Sequence, residues 1–292
     1  MSSAFTRAIT SHPRVFEQNR YVYPVISRRS RGLSVGVNLN PDKICNFGCI
    51  YCQVDRTIPP QYRDVDLNIL ASELRALLED AQSGVLFNHP NFQDIPNSLK
   101  RINDIAFSGD GEPTTCTQFG DVVHKVVQIK TDLSLDNVKL IVITNCTRFH
   151  RPNVLQAFGE MHKHNGEIWA KLDAGTSDYY DLIERTKINF ATVVQNIHHA
   201  AQHWPLVIQS LFMRIHDKEP SSEEIAAYAK ILSDVHKKGG LKGVQIYTVA
   251  RRPAEPYVEP LTDNEVDKLA ETVRQAIPNV PIDVYYGAKP DK

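Results

Sequence analysis

Short apolar runs alternate with longer stretches of helical periodicity along most of this sequence of 292 residues. Runs of about four to eight apolar residues are typical of strands that are buried on both faces. Apolar residues spaced three and four positions apart are typical of helices that bury one face. Strands and helices that alternate in this way form βα units, whose neighbouring strands are parallel. The sequence therefore predicts an α/β fold built on a parallel sheet.

Six runs before residue 250 fit such strands. They lie at residues 33–39, 102–107, 138–143, 167–172, 205–215 and 244–249. A further strand is predicted at residues 282–286, whereas residues 1–30 read as irregular. Six βα units are compatible with a partial barrel and with an open doubly wound sheet. In both folds, ligands bind at the carboxyl ends of the strands.

Segments with helical periodicity separate these runs. The predicted helices lie at residues 67–78, 122–129, 154–162, 192–204, 221–238 and 262–276. Ser221 and Glu224 fit a capping box at the start of one helix, and Gly239 fits the end of the same helix.

Composition excludes several classes of protein. Hydrophobic residues make up 42% of the chain, which is enough for a large core and argues against bulk disorder. The formal net charge of -1 argues against binding nucleic acid through the charge of the whole surface. No apolar run reaches the ~20 residues that span a bilayer, and the first residues lack the apolar stretch of a secretory signal. We therefore expect a cytoplasmic protein without a membrane partner.

Three of the five cysteines crowd into one loop after the first predicted strand. Cys45, Cys49 and Cys52 have the spacing C-x3-C-x2-C. This is not a disulfide framework, and neighbouring thiolates repel one another unless a cation shares their charge. Three cysteines can hold an iron–sulfur cluster and leave one iron open. A zinc site completed by a distant histidine, or three incidental buried thiols, are the alternatives.

The cysteine motif, with Tyr51 before its last cysteine, resembles the signature of the radical S-adenosylmethionine (SAM) superfamily. The resemblance covers residues 24–250 and implies a partial (β/α)6 barrel of parallel strands. We expect this barrel at residues 30–250, between an N-terminal arm at residues 1–29 and a C-terminal extension at residues 251–292 that packs on it.

The resemblance also implies a reaction. A [4Fe–4S] cluster on the three cysteines would chelate SAM at its open iron, and an external donor such as flavodoxin or ferredoxin would supply an electron. Cleavage of SAM would then give a 5′-deoxyadenosyl radical that abstracts hydrogen from the substrate. An iron–sulfur oxidoreductase of this kind is the leading hypothesis. A non-catalytic iron–sulfur electron-transfer or binding protein, and a zinc-stabilised binding protein, are the alternatives.

The loop after the second predicted strand contains a glycine pair and an acidic residue before a proline. It resembles the family's Gly-Gly-Glu-Pro motif, whose backbone carbonyl groups accept hydrogen bonds from the ammonium group of SAM. Glycines suit such a loop because they allow the backbone to approach a ligand closely. The alternative is an ordinary turn between a strand and a helix. The resemblance implies that SAM is bound by Ser108, Gly109, Gly111, Glu112 and Pro113.

Asn145 and Cys146 end the third predicted strand and resemble the family's Thr-Asn-Gly, with a cysteine in place of the glycine. The resemblance implies that Asn145 binds SAM. A thiol at the carboxyl end of a strand fits a catalytic role as a redox or radical-relay group, or a cluster ligand. A small buried residue is the alternative for Cys146, and the same two interpretations apply to Cys116.

Polar side chains also mark the ends of the next three predicted strands. Lys171 and Asp173 share a parity and so face the same side of their strand. We predict that both are catalytic and bind SAM, with an ordinary buried ion pair as the alternative. Gln209 and Tyr247, on the two strands that follow, resemble family positions that lie against SAM.

Residues 24–56 and 169–175 are most similar to wyosine-synthase-like members of the family, which favours a nucleoside or tRNA as substrate over a peptide or small metabolite. The true wyosine synthases use a second cluster held by three upstream cysteines, but no cysteine precedes Cys45 in this sequence. The basic residues Arg28, Arg29 and Arg31 fit either a phosphate or carboxylate site or a solvated arm.

Overall fold

The computed structural model describes residues 16–27 and 31–287, and the chain divides into two compact units. The first unit comprises the described residues up to Cys45, Ile58–Ile143 and Arg151–Glu167. The second unit comprises Asn46–Thr57, Thr144–His150 and the described residues from Ile168 onward.

The strands and helices of this described part follow one another in the predicted alternation. The strands are β1 (Val22–Ser27), β2 (Gly32–Val37), β3 (Ile102–Phe107), β4 (Lys139–Thr144), β5 (Gly166–Lys171), β6 (Leu206–Leu211), β7 (Met213–Ile215), β8 (Leu241–Tyr247), β9 (Val258–Pro260) and β10 (Ile282–Tyr285). The α-helices are α1 (Leu67–Ser83), α2 (Phe119–Asp132), α3 (Pro152–Lys163), α4 (Ser177–Glu184), α5 (Phe190–Ala201), α6 (Ser222–Lys237) and α7 (Asp263–Ala276).

Parallel pairing dominates in each unit. In the first unit, β1 is antiparallel to β2, while β2 is parallel to β3 and β3 is parallel to β4. In the second unit, β5, β6, β8 and β10 are parallel neighbours in that order. Strands β7 and β9 form a separate antiparallel pair. Every residue of β2 and of β6 is buried, as expected for strands covered on both faces.

All seven predicted strands are present, because β2 to β6 and β8 match the first six and β10 matches the last. The six predicted helices correspond to α1, α2, α3, α5, α6 and α7. The predicted fold class, α/β with parallel strands of the partial-barrel type, is confirmed. No helix in the described residues is both long and apolar enough to span a bilayer.

Strands β1, β7 and β9 and helix α4 depart from the prediction, since residues 205–215 form two strands and residues 258–260 were not predicted as a strand. Residues 22–27 were expected to be irregular but form β1, which buries Val22, Tyr23 and Ile26. Pro24 weakens the strand pattern in the sequence, yet β1 lies at the edge of its sheet, where a residue without an N–H group is tolerated. Helix α4 has eight residues, which is too short to show a clear period.

Candidate active site at the strand ends

The cysteine motif follows β2 and runs from one unit into the other, since Cys45 belongs to the first and Cys49 and Cys52 to the second. All three thiols are half-buried and none forms a disulfide. Within the described residues, no three His, Cys, Asp or Glu side chains form a group suited to a single metal ion. Three thiols outside disulfides at this spacing are nonetheless the donor set that fits an iron–sulfur cluster.

The end of α4 holds the second part of this loop in place. The backbone N–H groups of Gly48 and Ile50 donate to the carbonyl oxygens of Glu184 and Ile183, each at 2.9 Å. The Thr186 hydroxyl donates to the Asn46 carbonyl oxygen at 2.9 Å. The loop that carries Cys49 is therefore fixed by main-chain contacts as well as by its own turns.

The glycine loop after β3 is built on Asn38, in the first unit. The Asn38 side chain accepts from the Asp110 N–H at 3.1 Å and donates to the Asp110 carboxylate at 2.8 Å. A Cβ atom on Gly109 would lie 2.3 Å from the Asn38 amide oxygen, and one on Gly111 would lie 2.2 Å from the Ile44 carbonyl oxygen. Both positions require glycine because neighbouring groups fill the space of a side chain.

Other predicted members of this loop have structural contacts. Glu112 is buried, and its carboxylate accepts from the N–H of Thr114 at 3.1 Å and from its hydroxyl at 2.5 Å, which caps the short turn that begins at Pro113. The Tyr23 hydroxyl donates to the carbonyl oxygen of Ser108 at 3.1 Å. These contacts fix the backbone of the loop, which is the part that the SAM prediction relies on.

Asn145 joins the strand end to the cysteine loop within the second unit. Its amide donates to the Asn46 side-chain oxygen at 2.7 Å, and the Asn46 amide donates to the Thr147 hydroxyl at 2.6 Å. The Thr147 hydroxyl in turn donates to the Asn145 side-chain oxygen at 2.8 Å. This closed ring of three side chains places Asn145 next to the cysteine motif.

Cys146 occupies the position of the family's glycine and adopts a φ of 65°, in the left-handed region. Its side chain is fully buried, with Sγ 3.5 Å from the Thr144 carbonyl oxygen and 3.8 Å from that of Lys171. The Asn196 amide donates to the Cys146 carbonyl oxygen at 2.8 Å. These contacts favour the interpretation of Cys146 as a small buried residue, and its catalytic role stays a prediction.

Cys116 lies in the first unit, after the turn that begins at Pro113. Its N–H donates to the Pro113 carbonyl oxygen at 3.1 Å. Its thiol is half-buried, and this burial raises its pKa above the ordinary value.

Lys171 and Asp173 face the same side, as their shared parity predicts, and they form an ion pair, while their roles in catalysis and SAM binding stay predictions. The Lys171 ammonium donates to Asp173 Oδ1 at 2.8 Å and to the Tyr247 hydroxyl at 2.7 Å. Although burial lowers the pKa of Lys171, the Asp173 carboxylate and Tyr247 outweigh it, so this pKa lies above its ordinary value. The lysine is therefore a fixed cation in the described structure.

A row of polar side chains crosses the neighbouring parallel strands. Lys171 of β5 pairs in register with Gln209 of β6, which pairs with Gln245 of β8. The Gln209 amide donates to the Gln245 side-chain oxygen at 3.0 Å, and the Tyr247 hydroxyl donates to Gln209 at 3.4 Å. The predicted residues Lys171, Gln209 and Tyr247 thus lie together.

Asp173 links this row to the cysteine loop. Its Oδ2 accepts from the Tyr51 hydroxyl at 2.5 Å, and its Oδ1 also accepts from the Leu211 N–H at 2.7 Å. Tyr51 also approaches Glu184, at 3.3 Å. Burial and the charge of Asp173 raise the pKa of Tyr51 well above its ordinary value. The second unit therefore brings together five predicted site residues: Tyr51, Lys171, Asp173, Gln209 and Tyr247.

Sequence reasoning missed Glu184, because it lies at the end of the unpredicted helix α4. Its side chain is buried, and burial followed by the charge of Asp173 raises its pKa to about 8. Burial, followed by the charge of Glu184, likewise raises the pKa of the Cys49 thiol well above its ordinary value. No residue pattern points to Glu184, since only the fold brings it to the cysteine loop.

Glu224 takes a role different from the predicted capping box. Ser221 caps α6 by accepting from the Glu224 N–H at 3.2 Å, as predicted. The Glu224 carboxylate does not return to Ser221 but accepts from the N–H of Gly175 and, at 2.5 Å, from the Thr176 hydroxyl. It therefore holds the loop that follows Asp173.

The predicted basic residues add little to the described site, because Arg28 and Arg29 lie outside the described residues and Arg31 is exposed. His199 and His203 are also exposed, on and just after α5, with ring centroids 5.0 Å apart.

Comparisons with known proteins place this chain in a family. The family model described as "Radical SAM superfamily" matches residues 39–222, which is more than half of the chain. A curated relative, "GTPase Obg" of Brachyspira hyodysenteriae, is 26% identical over 302 aligned residues, which cover 96% of this chain but 38% of that protein. The chain therefore spans well under half the length of this relative.

Two solved structures share the fold at low sequence identity. A structure of TYW1 with a lysine-pyruvate adduct bound has a TM-score of 0.55 and 13% identity, over 96% of this chain and 82% of that chain. SuiB of Streptococcus suis bound to S-adenosylmethionine has a TM-score of 0.59 and 11% identity, over 90% of this chain and 53% of that chain. With the family match that includes all three motif cysteines, the conclusion is that this chain belongs to the radical SAM superfamily.

Proposed function

We propose that this protein is a radical SAM enzyme in which Cys45, Cys49 and Cys52 bind a [4Fe–4S] cluster. The observation that carries the proposal is the family match over residues 39–222, which contains the complete cysteine motif. When bound together, the cluster and SAM supply a 5′-deoxyadenosyl radical that abstracts hydrogen from a substrate. The protein itself has to bind, orient and shield these groups.

The residues of each unit support this role in their own way. In the first unit, Asn38 and Ile44 pack against Gly109 and Gly111 and hold the backbone of the loop whose carbonyl groups would accept hydrogen bonds from the ammonium group of SAM. In the second unit, the Asp173 carboxylate holds the Lys171 ammonium at the carboxyl end of β5. Ligands of α/β barrels bind at this end of the strands.

For the substrate, we propose a nucleoside or tRNA. The support is the similarity of residues 24–56 and 169–175 to wyosine-synthase-like proteins. The reaction that we propose uses one cluster, the one held by Cys45, Cys49 and Cys52. The electron donor that we propose is a flavodoxin or ferredoxin, and dithionite replaces it in the assays.

The cluster is tested by anaerobic reconstitution with iron and sulfide. We expect a brown protein with about four irons per chain, which forms 5′-deoxyadenosine from SAM and dithionite. Cys49→Ala is expected to lose both the iron and the product, whereas the matched Cys116→Ala variant is expected to keep its iron. A reconstituted wild-type protein that neither binds SAM nor forms 5′-deoxyadenosine would contradict the proposal.

The substrate class is tested by titrating tRNA against the reconstituted protein at several salt concentrations. Binding through phosphates should weaken steeply as salt increases, because each phosphate contact releases counterions. A modified nucleoside in tRNA digested after turnover would support the assignment. Turnover of SAM without any change in tRNA mass would exclude tRNA while leaving the radical SAM activity intact.

A further inference from the structure

A guanidinium group contacts one of the motif cysteines. Nη1 of Arg56 donates to the Sγ atom of Cys52 at a distance of 3.2 Å. Both residues belong to the second unit and are four positions apart in the sequence. Neither the cysteine motif nor the resemblance assigned a role to this arginine.

Local structure explains why Arg56 is placed in this way. The Cys52 N–H donates to the Cys49 carbonyl oxygen at 3.0 Å and closes a turn within the motif. The Asp55 carboxylate accepts from the N–H of Thr57 at 2.8 Å and from its hydroxyl at 2.6 Å. An aspartate that bonds its own backbone two residues on fixes a turn, and here the turn contains Arg56.

We infer that Arg56 is a positioning residue that donates a charge-assisted hydrogen bond to the Cys52 thiolate and raises the midpoint potential of the bound cluster. The inference rests on the proposed function, because it requires a cluster on Cys52. Potentials of iron–sulfur clusters depend on hydrogen bonds to their sulfur atoms. A donor and a positive charge favour the reduced state, which carries one more electron.

The choice of arginine matters for this role. Its guanidinium stays charged at all working pH values and presents several N–H donors in one plane, whereas lysine offers a compact and strongly hydrated charge. Because Arg56 is exposed, solvent and salt screen its charge. The effect on the potential is therefore expected to be moderate and to decrease at high ionic strength.

The test is a dithionite titration of the reconstituted full-length protein, followed by electron paramagnetic resonance and visible absorbance. Arg56→Gln is expected to lower the midpoint potential of the one-electron couple. The midpoint potential of Arg56→Lys is expected to lie between those of Arg56→Gln and the wild type. Arg63→Gln is the matched control, because it removes one exposed arginine from the same loop region and is expected to leave the potential unchanged.

A second measurement does not depend on turnover or potential. The rate at which an iron chelator removes the cluster should increase in Arg56→Gln and stay at the wild-type value in Arg63→Gln. Equal potentials and equal release rates for Arg56→Gln and wild type would overturn the inference. A wild-type protein that binds no cluster would instead contradict the proposed function, so the two failures are distinguishable.

Discussion

Cys146 combines an unfavourable backbone conformation with a fully buried side chain. A residue with a Cβ atom at a φ of 65° is strained by about 1–2 kcal/mol relative to glycine. At negative φ values, glycine makes the folded protein less stable than a residue with a Cβ atom does, because glycine loses more backbone entropy on folding. The family's glycine at this position is thus explained by the backbone, and the cysteine is tolerated because its thiol fills a buried site.

We predict that Cys146→Gly is more stable than Cys146→Ala by about 1 kcal/mol, since both lose the thiol but only glycine relieves the strain. Urea denaturation of the two apoproteins measures this difference. Cys116 provides the control, because its φ of -57° is ordinary and its Gly variant should be less stable than its Ala variant. The same order at both positions would refute the explanation.

Lys171 is held as an ammonium ion by Asp173 and Tyr247, so it should react poorly with carbonyl compounds. We predict little reductive trapping of Lys171 by pyruvate and borohydride at neutral pH. In Asp173→Asn, Lys171 stays buried but loses the carboxylate, so its pKa should fall. The rate of trapping should then increase about tenfold for each pH unit by which this pKa falls.

Peptide mapping by mass spectrometry measures trapping at each lysine in one experiment. The exposed Lys187 is the internal reference. If wild-type Lys171 is trapped as readily as Lys187, the ion pair does not control its reactivity. Circular dichroism is the check that Asp173→Asn is folded.

At the scale of elements, strand β1 depends on one carboxylate of helix α1. Glu73 accepts hydrogen bonds from the backbone N–H groups of Arg20, Tyr21 and Val22, at 2.8, 2.9 and 3.2 Å. Hydrogen bonds to a charged group contribute about 1.5–3 kcal/mol each. A side chain on a neighbouring helix thus satisfies donors at the start of a strand that contains a proline.

We predict that Glu73→Gln accelerates amide hydrogen exchange across residues 20–27, because a neutral amide accepts more weakly and presents N–H groups to other donors. Exchange measured by mass spectrometry on peptides of β1 tests this. Glu79→Gln, at an exposed position of the same helix, is the control and should not change β1. Equal protection of β1 in both variants would show that Glu73 does not anchor the strand.

Elements with strong patterns were predictable and those without were not. Strands β2 and β6 are buried along their whole length, and α1 repeats leucine on one face. Each of these elements therefore has a hydrophobic pattern that can be recognised in the sequence. Strand β1 contains Pro24, and α4 is short, so the sequence of each is also compatible with a loop. Glu224 shows a further limit, because a capping-box sequence is compatible with a side chain that bonds another segment.

For the whole molecule, the sequence by itself determined the alternation of strands and helices, the cysteine motif and hence the superfamily. These features are local, since periodicity and short motifs depend on residues that are close together in the sequence. Only the tertiary structure decided that Tyr51, Asp173 and Lys171 form one hydrogen-bonded network and that Glu184 lies beside it. Contacts between residues more than a hundred positions apart depend on how the strands pair and where the loops turn, and no local pattern encodes them.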